Sequence, residues 1–340
     1  MKRLDGYICM PELRRDPLTG RWVSYAPERA KRPVEMGEKA PPLIDDPGKC
    51  PFCPGKEHIL MPAVIVLTRS DSGLKFLKEE GDERIKDWIV KIIPNLYPAF
   101  TVNDTIKMGE EMKEARGHHE VMIDTPQHDA DPWKMTVDQI YFSLLTVRER
   151  LKELESYQYV KFAGFGKNHG PNSGGSLRHP HTHVFATPIT PEIIEIEAKR
   201  LRKGKCLLCD WVKEASGSRG IISTENFMAI CPWASREPYE ILIAPKDHLR
   251  RFIDLDDRRL MELSSILSTI YKALNMVLDN PSFNLVLHTA ARDVDDFHWH
   301  FELIPRILMP MVVDIGIGIH VNTVYPEKAA EDLRAAIEKL

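Results

Sequence analysis

Two Cys-x-x-Cys pairs, Cys50/Cys53 in "CPFC" and Cys206/Cys209 in "CLLC", begin the same series twice. After the first pair come His128 in "TPQHD" and, 51 residues later, His179 in "RHPHTHVF". After the second come His248 in "APKDH" and, 50 residues later, His298 in "FHWHFE". Two thiolates and two imidazoles close a tetrahedral shell around Zn²⁺ and leave no position for water, which makes such a site structural. The matched order and spacing read as an internal duplication, each copy with its own Cys₂His₂ constellation. Each copy must then gather a loop, a distant turn and a strand at one point. A redox pair would open a helix after a strand. "PGKCPFCPGKE" instead lies in a Pro/Gly-rich loop, the setting of a zinc knuckle.

The hydrophobic periods repeat in the same order. "AVIVLTR", "IVKIIPN" and "HHEVMID" are short β-rich runs. Residues 134–156 then place Val137, Ile140, Leu144, Val147, Leu151 and Leu154 at helical spacing. "QYVKFAGFGKNHG" and "HPHTHVFATP" are strands around a Gly/Ser/Asn loop, and "PEIIEIEAKRLRK" is a short helix. In the second half, strands "NFMAICPWA" and "YEILIAP" precede a helix carrying Leu260, Leu263, Leu267, Ile270, Leu274 and Val277. Strands "SFNLVLHT" and "FHWHFELIPR" and a last helix, "EKAAEDLRAAIEKL", follow. The expectation is an α+β chain of two duplicated halves, 1–190 and 191–340, forming a largely antiparallel sheet flanked by helices.

Composition excludes several function classes. With 43% hydrophobic and 28% charged residues the chain has the balance of a soluble globular protein. A net charge of −4 argues against a nucleic-acid partner or an anionic membrane surface. No apolar run reaches the ~20 residues of a membrane span, and "MKRLDGYICM" lacks the apolar stretch of a secretory signal. The expected address is the cytoplasm, where paired cysteines are metal or redox sites more often than disulfides.

Along a strand, His179, His181 and His183 share one face. With His179 given to zinc, His181 is left on a rigid strand beside "GKNHGPNSGGSLR", placed as a nucleophile. That loop supplies Asn168, small residues and backbone N–H groups to a phosphate. Imidazole attack on phosphorus gives a reactive phosphoramidate, suited to passing a phosphoryl or nucleotidyl group onward. A rival ligand set exists for the second metal: Glu197, His288, His298 and His300. Both sets use His298, so both cannot be complete; the repeat favours Cys206, Cys209, His248 and His298.

The triad of histidines, "PLTGRW", "CPFCPG", "GKNHGPNSGGSLRHPH", "HWHFELIPR" and "GIGIHVNTVYPEKAAEDLR" resemble, over almost the whole chain, the galactose-1-phosphate uridylyltransferase family of the histidine-triad superfamily. The resemblance implies two histidine-triad-like halves and His181 as the residue that becomes uridylylated. It implies structural zinc on Cys50, Cys53, His128 and His179, with Arg29 and Arg32 toward the nucleotide-sugar phosphates. Asn95 would lie at the base, and Asn168, Gly174 and Ser176 would hold the phosphates. The implied partners are a nucleotide sugar and a hexose 1-phosphate, the implied state a homodimer. The implied reaction is ping-pong: UDP-glucose gives a uridylyl-enzyme and glucose 1-phosphate, and galactose 1-phosphate takes the uridylyl group.

His183 stands where this family usually keeps a glutamine that steadies the phosphoryl group. An imidazole can donate to the same oxygen, with an expected pH dependence near about 6.5. Two other readings share the residues: a phosphorylase acting on ADP-glucose or a dinucleoside polyphosphate, and a zinc-stapled binding module in which His181 does not react. Other features read as structural: basic runs as solvated faces, His118 and His119 without a partner pattern, Trp299 in the core, and Cys9 and Cys231 buried.

Overall fold

Thr136 accepts a hydrogen bond from the Gln139 N–H at 3.1 Å, the cap that starts helix α1 (Val137–Ser156). Ile140, Leu144, Val147, Leu151 and Leu154 form its buried side. The computed structural model describes residues 11–31, 45–102, 115–214, 217–309 and 312–340. Among these, the further helices are α2 (Glu192–Ala198), α3 (Leu207–Glu214), α4 (Asp257–Leu278), α5 (Val312–Ile317) and α6 (Pro326–Ile337). None is long and apolar enough to cross a membrane.

The strands are β1 (Glu12–Arg15), β2 (Trp22–Tyr25), β3 (Ile65–Ser70), β4 (Gly73–Leu77), β5 (Val90–Pro94), β6 (His118–Ile123) and β7 (Phe162–His169). They continue as β8 (His181–Thr187), β9 (Gly220–Ser223), β10 (Phe227–Ile230), β11 (Ile241–Pro245), β12 (Phe283–His288), β13 (His300–Pro305) and β14 (Ile319–Asn322). Eleven of them form one sheet in the order β4-β3-β5-β6-β8-β7-β12-β13-β11-β10-β9. Every pair in it is antiparallel. From the central β7–β12 pair the order runs β8, β6, β5 on one side and β13, β11, β10 on the other. The α+β expectation therefore holds, with both halves in one continuous sheet.

Alternation along the strands assigns each face. On β6, Met122 joins the large core under α1, α4 and α6, while Val121 and Ile123 join a smaller cluster with Cys50 and Phe52. In the C-terminal half Met228, Ile230 and Leu242 likewise pack with Cys206 and Trp211. Helices α1, α4 and α6 thus cover one face, and the two cysteine knuckles lie on the other, the second of them with helices α2 and α3. Trp299 is fully buried in the helix-side core against Phe252, and Cys231 is buried there too. Cys9 lies outside the described residues.

A small sheet, β1-β2-β14, ties the N-terminal stretch to the C-terminal half. Its β2–β14 pair is parallel. The Arg14 guanidinium stacks on Trp233 at 3.9 Å and pairs with Glu327 at 3.0 Å. Residues 12–25 of the expected first half therefore rest on the second.

Two local features differ from the sequence pattern. The strand after the Gly-rich loop begins at His181, not His179. Pro180 has no N–H for the ladder, and His179 sits in the bend before it. The second Cys-x-x-Cys opens helix α3, whereas the first lies in turns.

Candidate active site and metal centres

Strand β8 carries His181 at its first position, with the side chain buried. The His181 Nδ1 lies 2.9 Å from the carbonyl oxygen of His179. A carbonyl only accepts, so the ring proton is on Nδ1 and Nε2 keeps its lone pair. Burial holds the imidazole below its ordinary pKa range, so it is neutral at pH 7. Phe52, the aromatic of "CPFC", meets the rings of His181 and His179 edge-on, with centroids 5.7 and 6.0 Å away. The backbone around His181 is anchored from the helix side of the sheet. Lys167 Nζ donates to the His181 carbonyl at 3.0 Å and pairs with Asp124, which also accepts from Thr182 Oγ1 at 3.0 Å.

His183 follows on the same face, its ring centroid 5.5 Å from that of His181. Burial first, and then the neighbouring His181 and His119, push its pKa down to about 4. The expected titration near 6.5 is therefore corrected: His183 is a neutral donor–acceptor through the physiological range.

The phosphate-side loop hangs between β7 and β8. Asn168 faces Asn284 across the β7–β12 register, and the Asn284 amide nitrogen donates to Asn168 Oδ1 at 2.7 Å and to the Ser173 carbonyl at 3.0 Å. With its oxygen taken, Asn168 has its NH₂ left for a ligand. Gly170 has φ +81° and no room for a Cβ, which would sit 2.3 Å from Ser282 Oγ. Gly174 (φ +86°) ends the short turn Pro171–Ser173, and Gly174 and Ser176 are both exposed. The loop's sharp reversals rest on these two glycines.

Cys50, Cys53, His128 and His179 converge, with one ligand atom from each all within 4.8 Å of one another. The His179 Nε2–H donates to the Thr125 carbonyl at 2.8 Å, which turns Nδ1 toward Cys53. Cys206, Cys209, His248 and His298 converge in the same way. There the His298 Nε2–H donates to the Pro245 carbonyl at 2.8 Å, and His248 Nε2 lies 2.8 Å from Asp296. His179, His248 and His298 are thus each oriented by an outer partner, the usual support of a ligating imidazole. The donor chemistry of both sets, two thiols and two Nδ1 atoms, fits a tetrahedral metal ion.

The HIT domain matches residues 214–306 of this chain. The chain is 29% identical to ADP-glucose phosphorylase of Arabidopsis thaliana, over 95% of this chain and 92% of that protein. It is 28% identical to galactose-1-phosphate uridylyltransferase of Thermotoga maritima, over 96% and 98%. The crystal structure of the Arabidopsis thaliana ADP-glucose phosphorylase with bound ADP-glucose superposes with a TM-score of 0.79, covering 96% of this chain and 99% of that one. A uridylyltransferase structure, 27% identical, superposes with a TM-score of 0.72 over 97% and 99%. Residues 214–306 thus form a HIT domain, and the chain is similar over nearly its whole length to galactose-1-phosphate uridylyltransferases and to an ADP-glucose phosphorylase. These likenesses support a nucleotidyltransferase of the HIT and galactose-1-phosphate uridylyltransferase type.

The rival ligand set for the second metal needs correction. Glu197, His288 and His300 do converge, but their fourth neighbour is Glu302, while His298 is committed to the cysteines. The two clusters coexist because His300 and Glu302 alternate on β13 while His298 precedes the strand. His288 Nδ1 lies 2.9 Å from Glu197, and Arg236 donates to Glu302 at 2.6 Å. Burial opposes charge on His288, but Glu197 and Glu302 outweigh it and push its pKa up to about 9. His300 repeats the arrangement of His181, its Nδ1 3.1 Å from the His298 carbonyl. Its Nε2 faces Glu197 at 3.8 Å rather than an open Gly-rich loop.

Of the remaining expected residues, Asn95 follows β5 and has its Oδ1 taken by the Tyr97 N–H at 2.9 Å. Arg29 is exposed on the short helical turn Pro27–Lys31 after β2, on the small sheet rather than on elements that carry His181. Arg32 lies outside the described residues. His118 is structural as expected, stacked on Tyr157 and 2.6 Å from the Tyr159 hydroxyl. Lys167, Asp124, Asn284 and His119 were not legible as site residues. Only strand register brings them to His181, His183 and Asn168, and no local motif marks them.

Proposed function

We propose that this protein transfers a nucleotidyl group from a nucleoside-diphosphate hexose to a phosphate-bearing acceptor through a covalent nucleotidyl-His181. The observation that carries this reading is the His181 Nδ1–H bond to the His179 carbonyl, which leaves Nε2 as a fixed lone pair beside the Gly-rich loop. Nε2 attacks the α-phosphorus, an N–P bond forms, and the P–O bond to the β-phosphate breaks. The hexose 1-phosphate departs with that electron pair. The ring gains positive charge in this step, and the carbonyl accepting from Nδ1–H stabilises it. An acceptor phosphate oxygen then attacks, forms the new P–O bond, and returns the electron pair to Nε2. Asn168, Gly174 and Ser176 would hold the phosphates, and His183 would donate to them.

In its specific form the reaction is uridylyl exchange between UDP-glucose and galactose 1-phosphate, supported by the galactose-1-phosphate uridylyltransferases among the relatives. A second form, adenylyl transfer from ADP-glucose to phosphate, is favoured by the likeness to ADP-glucose phosphorylase in both sequence and structure. In either form the two Cys₂His₂ sets would hold zinc, which cross-links the knuckles to the sheet and takes no part in the steps. The homodimer, and two histidine-triad halves at 1–190 and 191–340, belong to the same reading.

The test is intact-mass measurement after mixing the protein with UDP-glucose and, separately, with ADP-glucose. An acid-labile uridylyl or adenylyl adduct, absent from His181→Ala, supports the mechanism and names the nucleotide. No adduct with either donor overturns it.

A further inference from the structure

His119 stands on β6 one diagonal step from His183 on β8. In the register His119 is opposite Phe185 and Val121 is opposite His183, so the two histidines share a face. Both ring nitrogens of His119 are engaged. The Ala99 backbone N–H donates to Nδ1 at 2.9 Å. A backbone N–H can only donate, so Nδ1 holds a lone pair and the one ring proton sits on Nε2. Two groups face that proton: His183 Nδ1 at 3.1 Å and Asn95 Nδ2 at 3.3 Å. Asn95 has its oxygen committed to the Tyr97 N–H, so the nitrogen it presents is a donor and cannot accept. His183 Nδ1 is therefore the acceptor. Its lone pair is fixed there, and its own proton is forced onto Nε2.

We propose that His119 is a positioning residue for nucleotidyl transfer, holding His183 in the Nε2–H tautomer so that a donor faces the phosphoryl group carried by His181. A neutral imidazole can present either a proton or a lone pair at Nε2. A lone pair there would repel phosphoryl oxygens, whereas an N–H stabilises the negative charge that they carry in the transition state. The chain Ala99 N–H, His119, His183 removes that choice with a backbone group that cannot itself reverse. A primary amide gives the donor directly; an imidazole in its place needs this second residue behind it. This inference rests on the covalent His181 reading only for its catalytic consequence, since the tautomer is a property of the resting protein.

The experiment uses the full-length protein with ring-¹⁵N-labelled histidine, the His183 signals being assigned by their absence in His183→Gln. The wild type is expected to show a pyridine-type Nδ1 and a pyrrole-type Nε2 at His183. His119→Phe, which keeps the ring shape and removes the donor, should give a mixed tautomer. It should lower kcat about tenfold with KM for the nucleotide sugar little changed. His119→Gln, which restores an N–H near the Nε2 position, should recover the single tautomer and most of the rate. An Nδ1–H tautomer at His183 in the wild type overturns the proposal, and so does an unchanged His183 spectrum in His119→Phe. If His119→Phe does not fold, the wild-type spectrum and His119→Gln still decide. Failure of the covalent mechanism would show separately, as the absence of any adduct on His181 in the wild type.

Discussion

Asn284 of the C-terminal half donates to Oδ1 of Asn168 at 2.7 Å across the β7–β12 pair, where the two halves of the sheet meet. The Asn284 oxygen is itself held by Arg306 Nε at 2.5 Å, so its amide cannot turn over without losing that bond. The consequence is that Asn168 presents N–H groups, not oxygen, toward the loop. Asn284→Asp sets an acceptor against Asn168 Oδ1 and would flip the Asn168 amide, aiming oxygen at the phosphates. A fall in kcat/KM of about 10²-fold is expected, larger than for Asn284→Ala, where Asn168 is free to choose. Steady-state exchange of the sugar 1-phosphate checks it; Asn284→Asp with wild-type rates would sink the idea.

The two cysteine sets should behave as independent staples. Metal analysis of the purified protein should give about two zinc ions per chain, since each set offers four donors. Cys50→Ser should lose one of them and Cys209→Ser the other. Burial and the neighbouring thiol push Cys53 up to about 11 without metal, so zinc uptake must displace protons and weaken as pH falls. Because Phe52 follows Cys50 by two residues and its ring contacts both His179 and His181, Cys50→Ser should also reduce adduct formation. Cys209→Ser should lower thermal stability with a smaller effect on the adduct. Equal loss of the adduct in both variants would refute this division.

The sequence was most informative where chemistry is local. Both Cys₂His₂ sets could be read because cysteine and histidine at fixed spacing have few alternative uses, and the helical periods of α1 and α4 are long. The contact of His119 with His183 is not visible in the sequence, because it is a cross-strand diagonal that depends on the pairing of β6 with β8. The Glu302 ligand-like position was missed for a related reason. The repeat already gives His298 to the cysteines, but only the fold shows Glu302 beside Glu197, His288 and His300. Short edge strands such as β4 and β9 were missed too, since a few half-exposed residues carry little periodic signal.

His183→Gln should leave the pH dependence of turnover unchanged in the neutral range. A histidine with a depressed pKa is uncharged at every pH above its folded value, and for His183 that is about 4. Its charge therefore appears only as pH falls through that value. The pH–rate profiles of wild type and His183→Gln should superimpose between about pH 5.5 and 8. A wild-type inflection near the ordinary histidine pKa that vanishes in His183→Gln would show that His183 is charged there after all.

The ion pair of Glu120 and Arg150 ties α1 to β6, and both side chains are almost fully buried. Arg150 Nε donates to Glu120 Oε2 at 2.8 Å, and a second bond joins NH2 to Oε1. Burial alone would raise the carboxyl pKa, but the bonds to Arg150 and His118 outweigh it and hold it below the ordinary range. Such a depressed carboxylate contributes stability that is complete above its unfolded pKa, about 4.3, and is lost as pH falls through the folded value. Among the described residues, Glu120→Gln leaves Arg150 with only Glu153 as an ion-pair partner, 2.7 Å away, and should cost about 3 kcal/mol at pH 7. Urea unfolding of the two proteins at several pH values measures the gap. It should be constant above about pH 5 and narrow in acid, because Glu120 in the wild type then becomes neutral like its replacement. A gap that stays the same down to the acid transition would mean that the side-chain packing, not the charge pair, stabilises this contact.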